Sequence, residues 1–240
     1  MRLLTVLLSL FLISTPVLAA TEPTEIRLGK APAPPPAVDA NKTRSVERFL
    51  AARQTASIDR SRGQDPRRFL SGSAKVDEET LTGAKGQRLV AFDFKDATIE
   101  AAGAGRFRVQ TYLLFADKDG RVVESRDETL LFSGEKSVYV CVSVQPTNVM
   151  RWDSSEVEKS ANALSAKDAL AQAEGFLQVW AKSQASGSAY SVEEIYAAGQ
   201  GKLLVPCLRF TAEYGKRGYD VVDSPLVLSR SSSGYRIESN

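Results

Sequence analysis

Histidine is missing from all 240 residues, and cysteine occurs only at Cys141 and Cys207. Without imidazole there is no Ser-His-Asp or Cys-His nucleophile and no histidine-ligated zinc, and two thiolates alone do not complete a zinc site. Enzymes of those kinds are excluded, and no metal or cofactor is expected. A surplus of one charge is missing as well: 31 Lys and Arg face 29 Asp and Glu, a formal charge of +2. Nucleic-acid-binding domains carry a strongly basic face, so nucleic acid is set aside as a partner. Long apolar runs are missing after residue 20, which confines any expected membrane contact to the amino terminus.

What is present starts with the pattern of a secretory signal. Arg2 precedes a run from Leu3 to Leu18 that is apolar apart from Thr5, Ser9, Ser14 and Thr15, and it ends in Pro16-Val17-Leu18-Ala19-Ala20, small residues suited to signal peptidase. Residues 1–19 are predicted to be a signal peptide, and the mature chain to be periplasmic or secreted. The rival reading is an uncleaved anchor, which calls for about 20 apolar residues. No cysteine stands at the cleavage site to make a lipoprotein. In an oxidising compartment Cys141 and Cys207 most simply form one disulfide, worth about 4 kcal/mol in the chain-entropy view. Two separately buried thiols are the alternative. Residues 20–42 are proline-rich without hydrophobic periodicity and read as an extended linker.

The folded part divides into residues 43–150 and 151–240. In the first, Val46, Phe49, Leu50 and Arg53 share one helical face, with Thr43 or Ser45 as the cap. Asp65-Pro66 reads as the start of a second helix carrying Phe69 and Leu70 inward. The period then becomes two: Val90, Phe92 and Phe94 alternate with polar neighbours, as do Phe107, Val109, Thr111, Leu113 and Phe115. Asp117-Lys118-Asp119-Gly120 joins this strand to one over 121–133, and Ser133-Gly134-Glu135-Lys136 leads to Val138, Val140, Val142 and Val144. In the second part a helix presents Leu170, Ala173, Phe176, Leu177 and Trp180. A short helix is predicted from the Ser191/Glu194 capping box to Gly199, followed by strands over 203–212, 219–229 and 234–238. Laid over one another about 96 positions apart, Val109 meets Val205, Asp127 meets Asp223, Leu130 meets Leu226 and Tyr139 meets Tyr235. A duplicated unit and two generic meanders both fit this spacing.

Several short motifs resolve into turns. Ser133-x-x-Lys136 has the spacing of penicillin-recognising enzymes but lies in a hairpin where that motif needs a helix start. Asp117, Asp119 and Gly120 begin like a calcium loop yet lack its later carboxylates. Gly103 and Gly105 precede a strand, where a dinucleotide fingerprint requires a helix. Arg60, Arg62, Arg67 and Arg68 form a basic cluster, either solvated or a contact for an acidic surface. Trp152 stands in the connection between the two parts and is an open candidate for a binding surface.

The helix pair, Phe92-Asp93-Phe94-Lys95-Asp96-Ala97-Thr98-Ile99, and the hairpin Tyr112 to Glu124 with its Asp119-Gly120 turn together resemble the NTF2-like (SnoaL and ketosteroid-isomerase-like) superfamily over residues 43–145. Residues 205–237 stand where a reduced second copy would place its strands. The chain departs from the superfamily pattern in carrying Tyr139 where a tryptophan often closes the final strand. The resemblance implies an α+β fold with helices packed on curved antiparallel sheets, as two tandem NTF2-like or cystatin-like units. It also implies a cone whose interior can hold a small molecule. An isomerase of that type needs an aspartate base and an acidic or phenolic donor and no histidine. Asp127 is the candidate base, sharing a strand face with Val123, Ser125, Thr129 and Leu131, and Tyr112 or Tyr139 the donor; the plainer reading leaves Asp127 facing solvent.

The leading expectation is an exported, non-catalytic protein that binds an envelope protein or a small apolar ligand through the concave sheet or the seam between its two parts. An isomerase or cyclase-like enzyme, and a structural component of a cell-envelope assembly, are the alternatives. Burial separates the first two: an enzyme requires Asp127 at the floor of a closed apolar pocket, whereas a cone filled by Phe92, Phe94, Leu113 and Phe115 favours binding.

Overall fold

The computed structural model describes residues 39–59, 61, 64–135, 138–152, 163–184, 187–213, 215–223 and 225–239. The predicted signal peptide, nearly all of the linker, Arg60 and Arg62 lie outside them. Among the described residues no helix is long and apolar enough to cross a membrane.

Helix α1 (Ala40–Ile58) is capped by Asp39, whose carboxylate accepts from the Asn41 N–H at 3.0 Å. The predicted caps Thr43 and Ser45 lie inside the helix instead, Thr43 bonding Asp96 and Ser45 the Asn41 carbonyl. Val46, Phe49, Leu50 and Arg53 do form its buried face. The helix expected at Pro66 is only one 3₁₀ turn, Pro66–Phe69, and a short helix α2 (Glu78–Thr82), capped by Asp77, follows it. The strands β1 (Arg88–Phe94), β2 (Glu100–Ala101), β3 (Arg106–Ala116), β4 (Val122–Glu135) and β5 (Val138–Arg151) build one antiparallel sheet in the order β1-β3-β4-β5. Strand β2 pairs with the start of β3 and β1 with its end, both on the same side. Gly120, at φ +87°, closes the β3–β4 turn, and the Asp117 carboxylate is spent on the backbone N–H groups of Asp119 and Arg121.

Alternation directs one face of this sheet to α1. Phe92, Phe94, Phe107, Val109, Leu113, Phe115, Leu130 and Phe132 close on Val46, Phe49 and Leu50 in a single buried cluster. Phe107 stacks on Phe132 with ring centres 4.9 Å apart, and Phe49 meets Phe132 edge-on at 6.1 Å. Each such pair adds about 0.5–1.5 kcal/mol beyond the burial of its area.

Helix α3 (Ala163–Ser183) opens the second half and buries Ala169, Leu170, Ala173 and Leu177 against the strands that follow. These are β6 (Ala189–Val192), β7 (Tyr196–Gly199), β8 (Lys202–Val205), β9 (Cys207–Thr211), β10 (Asp220–Asp223), β11 (Leu226–Ser231) and β12 (Gly234–Ser239). The helix predicted at 191–199 is thus two strands. Tyr190, Ser191 and Val192 are all buried, and Ser191 pairs with Leu208 across a ladder where a cap was expected. Each of the two long strands expected over 203–212 and 219–229 is cut in two, at Pro206 and Pro225. The register of Leu226 with Val205 continues unbroken into that of Asp223 with Leu208, so the prolines fall opposite one another. With no N–H at either position the ladder parts, and the halves enter two sheets, β10-β9-β6 and β12-β11-β8-β7.

The β6–β9 ribbon lies against the other face of the first sheet. Ala189, Phe210 and Ala212 share a third buried cluster with Val90, Ala91, Leu114, Ala116 and Val122. Polar contacts pin the same seam. The fully buried Gln54 donates to Val90 O and accepts from Gly215 N, each at 2.8 Å, and Tyr190 N donates to Gly120 O at 2.9 Å.

The expected disulfide between Cys141 and Cys207 does not form. Cys141, on β5, belongs to the cluster under α1, and Cys207, on β9, to the cluster under α3. They are separate buried thiols. Burial pushes the Cys141 thiol up to about 12.

Candidate functional site

Across the face of the first sheet away from α1, cross-strand pairing sets Asp93 (β1), Tyr112 (β3), Asp127 (β4) and Asn148 (β5) in one row. Directly paired positions on neighbouring strands bring their side chains into contact range. Asn148 Nδ2 donates to Asp127 Oδ2 at 3.3 Å, and Thr147 Oγ1 to the Asp127 carbonyl at 3.2 Å. Asp93 accepts from the N–H of Phe94 at 2.8 Å. Asp93, Tyr112 and Asp127 of the row line an open groove of about 490 Å³, whose walls include Lys95, Thr98, Gln110 and Thr147. From the second half, Tyr219 tilts against Tyr112 with ring centres 6.3 Å apart and rests on Phe210. Burial, and then the nearby Tyr112 and Asp93, push the Tyr219 phenol up.

Of the predicted catalytic set the fold therefore joins Asp127 with Tyr112, while Tyr139 stands apart. Tyr139 lies opposite Gly134, seven residues along β4 from Asp127, a separation of about 23 Å at the rise of a strand. It packs edge-on against Phe107 in the core. Asp127 is half-buried, on the face of β4 directed away from α1.

The inward face of β4 carries something the sequence reading passed over. Glu124, Arg126 and Glu128 alternate there in place of apolar residues, and all are buried. Arg53 of α1 reaches down to them, donating to Glu128 Oε2 at 2.6 Å and Oε1 at 3.0 Å, to Leu81 O at 2.8 Å and to Thr80 O at 2.6 Å. Arg126 bonds Glu124 at 2.9 Å and Thr80 O at 3.1 Å, and Arg151 closes the outer end on Glu124 at 3.0 Å. Arg126 also lies over the Phe115 ring, 4.6 Å from its centre. The chain of charges is paired throughout. Its signal was in the sequence: Arg53 on the apolar face of a helix, and a Glu-x-Arg-x-Glu run in phase with Leu130 and Phe132.

Of the remaining predicted residues, Arg67 pairs with Glu78 at 2.6 Å with both side chains largely exposed, and Arg68 is exposed. The two fall on the turn before α2, some way from the groove in sequence and sharing none of its walls. Trp152 is half-buried against the cluster between β1–β3 and β6–β9, with its backbone N–H on Val123 O at 3.0 Å. Among the described residues no group of three or more Cys, Asp or Glu side chains is placed to hold a metal ion.

No protein-family model matches the sequence, and no curated protein matches it significantly. Among solved structures, a chain described as an "Ntf2 like protein involved in plasmid conjugation" is similar over 83% of this chain and 95% of its own, at 10% sequence identity and a TM-score of 0.31. That is a weak resemblance at the level of the fold, alongside an architecture of helices and several antiparallel sheets that is α+β.

Proposed function

We propose that this chain is an exported, non-catalytic interaction protein whose partner, an envelope protein, docks in the groove lined by Asp93, Tyr112 and Asp127. The observation that carries the reading is the filled cone: Phe92, Phe94, Leu113 and Phe115 occupy the space beneath α1, each at most 5% exposed. An isomerase needs its carboxylate in a dry enclosed pocket. Asp127 instead faces an open groove with Gln110, Thr98 and Thr147 in its walls. Its place beside Tyr112 is the one arrangement the enzyme alternative called for.

The chain is further proposed to be two tandem NTF2-like units, the second reduced. Topology supports this. Helix α3 and strands β6, β7, β8–β9, β10–β11 and β12 follow one another as α1, β1, β2, β3, β4 and β5 do. Just as β2 pairs the start of β3 and β1 its end, β7 pairs β8 and β6 pairs β9.

The test is capture from an envelope fraction by the tagged full-length chain. One partner should be retained by the wild type and lost with Tyr112→Ala or Asp127→Lys, both at half-buried positions, with an unchanged circular-dichroism spectrum showing that each variant is folded. A partner held equally by these variants overturns the groove as the docking site. Export is checked by fractionation and amino-terminal sequencing, with a new terminus at Ala20 as the expected result.

A further inference from the structure

We propose that the groove takes a basic side chain, arginine in preference to lysine, presented on an extended segment of the partner. This rests on the groove being the docking site and adds the chemistry of what enters it. Two phenols come first. Tyr112 lines a groove of about 490 Å³, room for one long side chain with its flanking backbone, and Tyr219 tilts against the Tyr112 ring at 36° beside it. A cation over a phenol face is attracted by the ring quadrupole, guanidinium more often than ammonium. Carboxylates come second. Asp93 and Asp127 flank Tyr112 on either side within one cross-strand row.

The contrast with the rest of the sheet is informative. Glu100 pairs with Arg108, Asp96 with Arg217, and Glu124 and Glu128 with Arg126 and Arg53. Among the described residues Asp93 and Asp127 have no ion pair, and their hydrogen bonds come from the Phe94 N–H and the Asn148 amide alone. Two cations stand nearby. Arg217 is committed to Asp96 at 2.9 Å and lies over the Phe94 ring. Lys95 lines the groove but is exposed, so it is the charge an incoming guanidinium must compete with. A planar fork bonding a carboxylate while its face lies on a phenol uses both features at once, which a point-charge ammonium does not. Two copies paired groove to groove are a poorer arrangement, because each groove would meet the other's carboxylates.

The experiment titrates the full-length chain with four blocked tripeptides, acetyl-Thr-X-Thr-amide, where X is arginine, lysine, citrulline or glutamate, following amide signals by NMR. A single anchored side chain should bind in the millimolar range. The arginine peptide should shift the signals of Tyr112 and Asp127. Citrulline, which keeps the shape and loses the charge, should bind about tenfold more weakly, as should arginine with Asp93→Asn or Asp127→Asn. Lys95→Ala should tighten arginine binding. Equal binding of citrulline, preference for glutamate, or no shift with any peptide at about 10 mM overturns the inference. Envelope capture separates the two readings. Capture that needs Tyr112 but is indifferent to Asp93→Asn and Asp127→Asn removes the basic side chain and leaves the docking site. Capture that survives Tyr112→Ala removes the docking site itself.

Discussion

Replacing Arg53 by methionine keeps most of its apolar stem and deletes a charge with no exposed surface. Glu128, equally buried, then loses its bidentate partner and keeps only Arg126 Nη1 at 3.4 Å. Thr80 O retains Arg126, whereas Leu81 O loses the Arg53 Nε–H that reaches it at 2.8 Å. Breaking a buried pair from one side typically costs about 3–5 kcal/mol, and an orphaned carbonyl about 1–3, the two not being additive. A total of about 3–5 kcal/mol corresponds to a fall in melting temperature of roughly 6–20 °C in a domain of this size. Urea and thermal unfolding of the wild type, Arg53→Met, Glu128→Leu and the double variant form a cycle. The double variant should recover most of the loss, because no uncompensated charge remains on either side. Were Arg53→Met to unfold within about 1 kcal/mol of the wild type, or the double variant to be worse than either single, the ladder would not be the coupled unit described here.

Three further outcomes follow from local geometry. Burial holds both thiols in the neutral form, so a thiol reagent at pH 8 should leave the native protein unlabelled and label two sites after denaturation. The same shift makes stability fall as pH rises above the unfolded thiol value, about 8.5, toward the native value of about 12. Asp77 caps α2 by accepting from the Thr80 N–H, which holds its carboxyl below the usual range. Its contribution is present above the unfolded carboxylate pKa and lost as pH falls through the native one, and Asp77→Ala should cost about 1 kcal/mol at pH 7, read by urea titration, and nothing in acid. Gly134→Ala would drive a methyl group into the backbone of Val138 and Tyr139. A loss above about 1 kcal/mol is expected, with exchange protection failing first at the β4–β5 hairpin.

Much of the first half could be read from period alone. The alternation of Phe107 to Phe115 gives β3, the apolar face of α1 gives its burial, and Asp117 to Gly120 gives the turn, because each signal is local. The second half defeated the same reasoning where the signal is tertiary. Ser191 and Glu194 spell a helix start, yet Tyr190, Ser191 and Val192 are buried against β9 and α3, and long-range pairing overrides a capping box worth about 1 kcal/mol. Pro206 and Pro225 each look like a blemish in a long strand. Only the pairing shows them facing one another, and that coincidence divides one hairpin between two sheets. The cysteines likewise gave no hint that each belongs to a different core.

Asp127 shows how a correct period leaves the choice of face open. Its companions Val123, Ser125, Thr129 and Leu131 are as apolar as many inward rows, whereas Glu124, Arg126 and Glu128 look like a solvent row. The structure turns the charged row inward and leaves Asp127 on the groove, as the plainer reading has it, because Arg53 arrives from α1 with a charge that Glu128 pairs. A buried arginine on a helix thus selects which parity of the facing strand turns inward. The inference is testable through Arg53→Met combined with Glu124→Leu, Arg126→Met and Glu128→Leu, which makes the inward row apolar by volume-matched residues. If the charges impose only a choice of face, this variant should fold with Asp127 still in the groove and with stability equal to or above that of the wild type, as apolar replacements of buried charge clusters often have. A variant more than about 1 kcal/mol less stable than the wild type would mean that the paired charges hold the fold together and do more than choose its face.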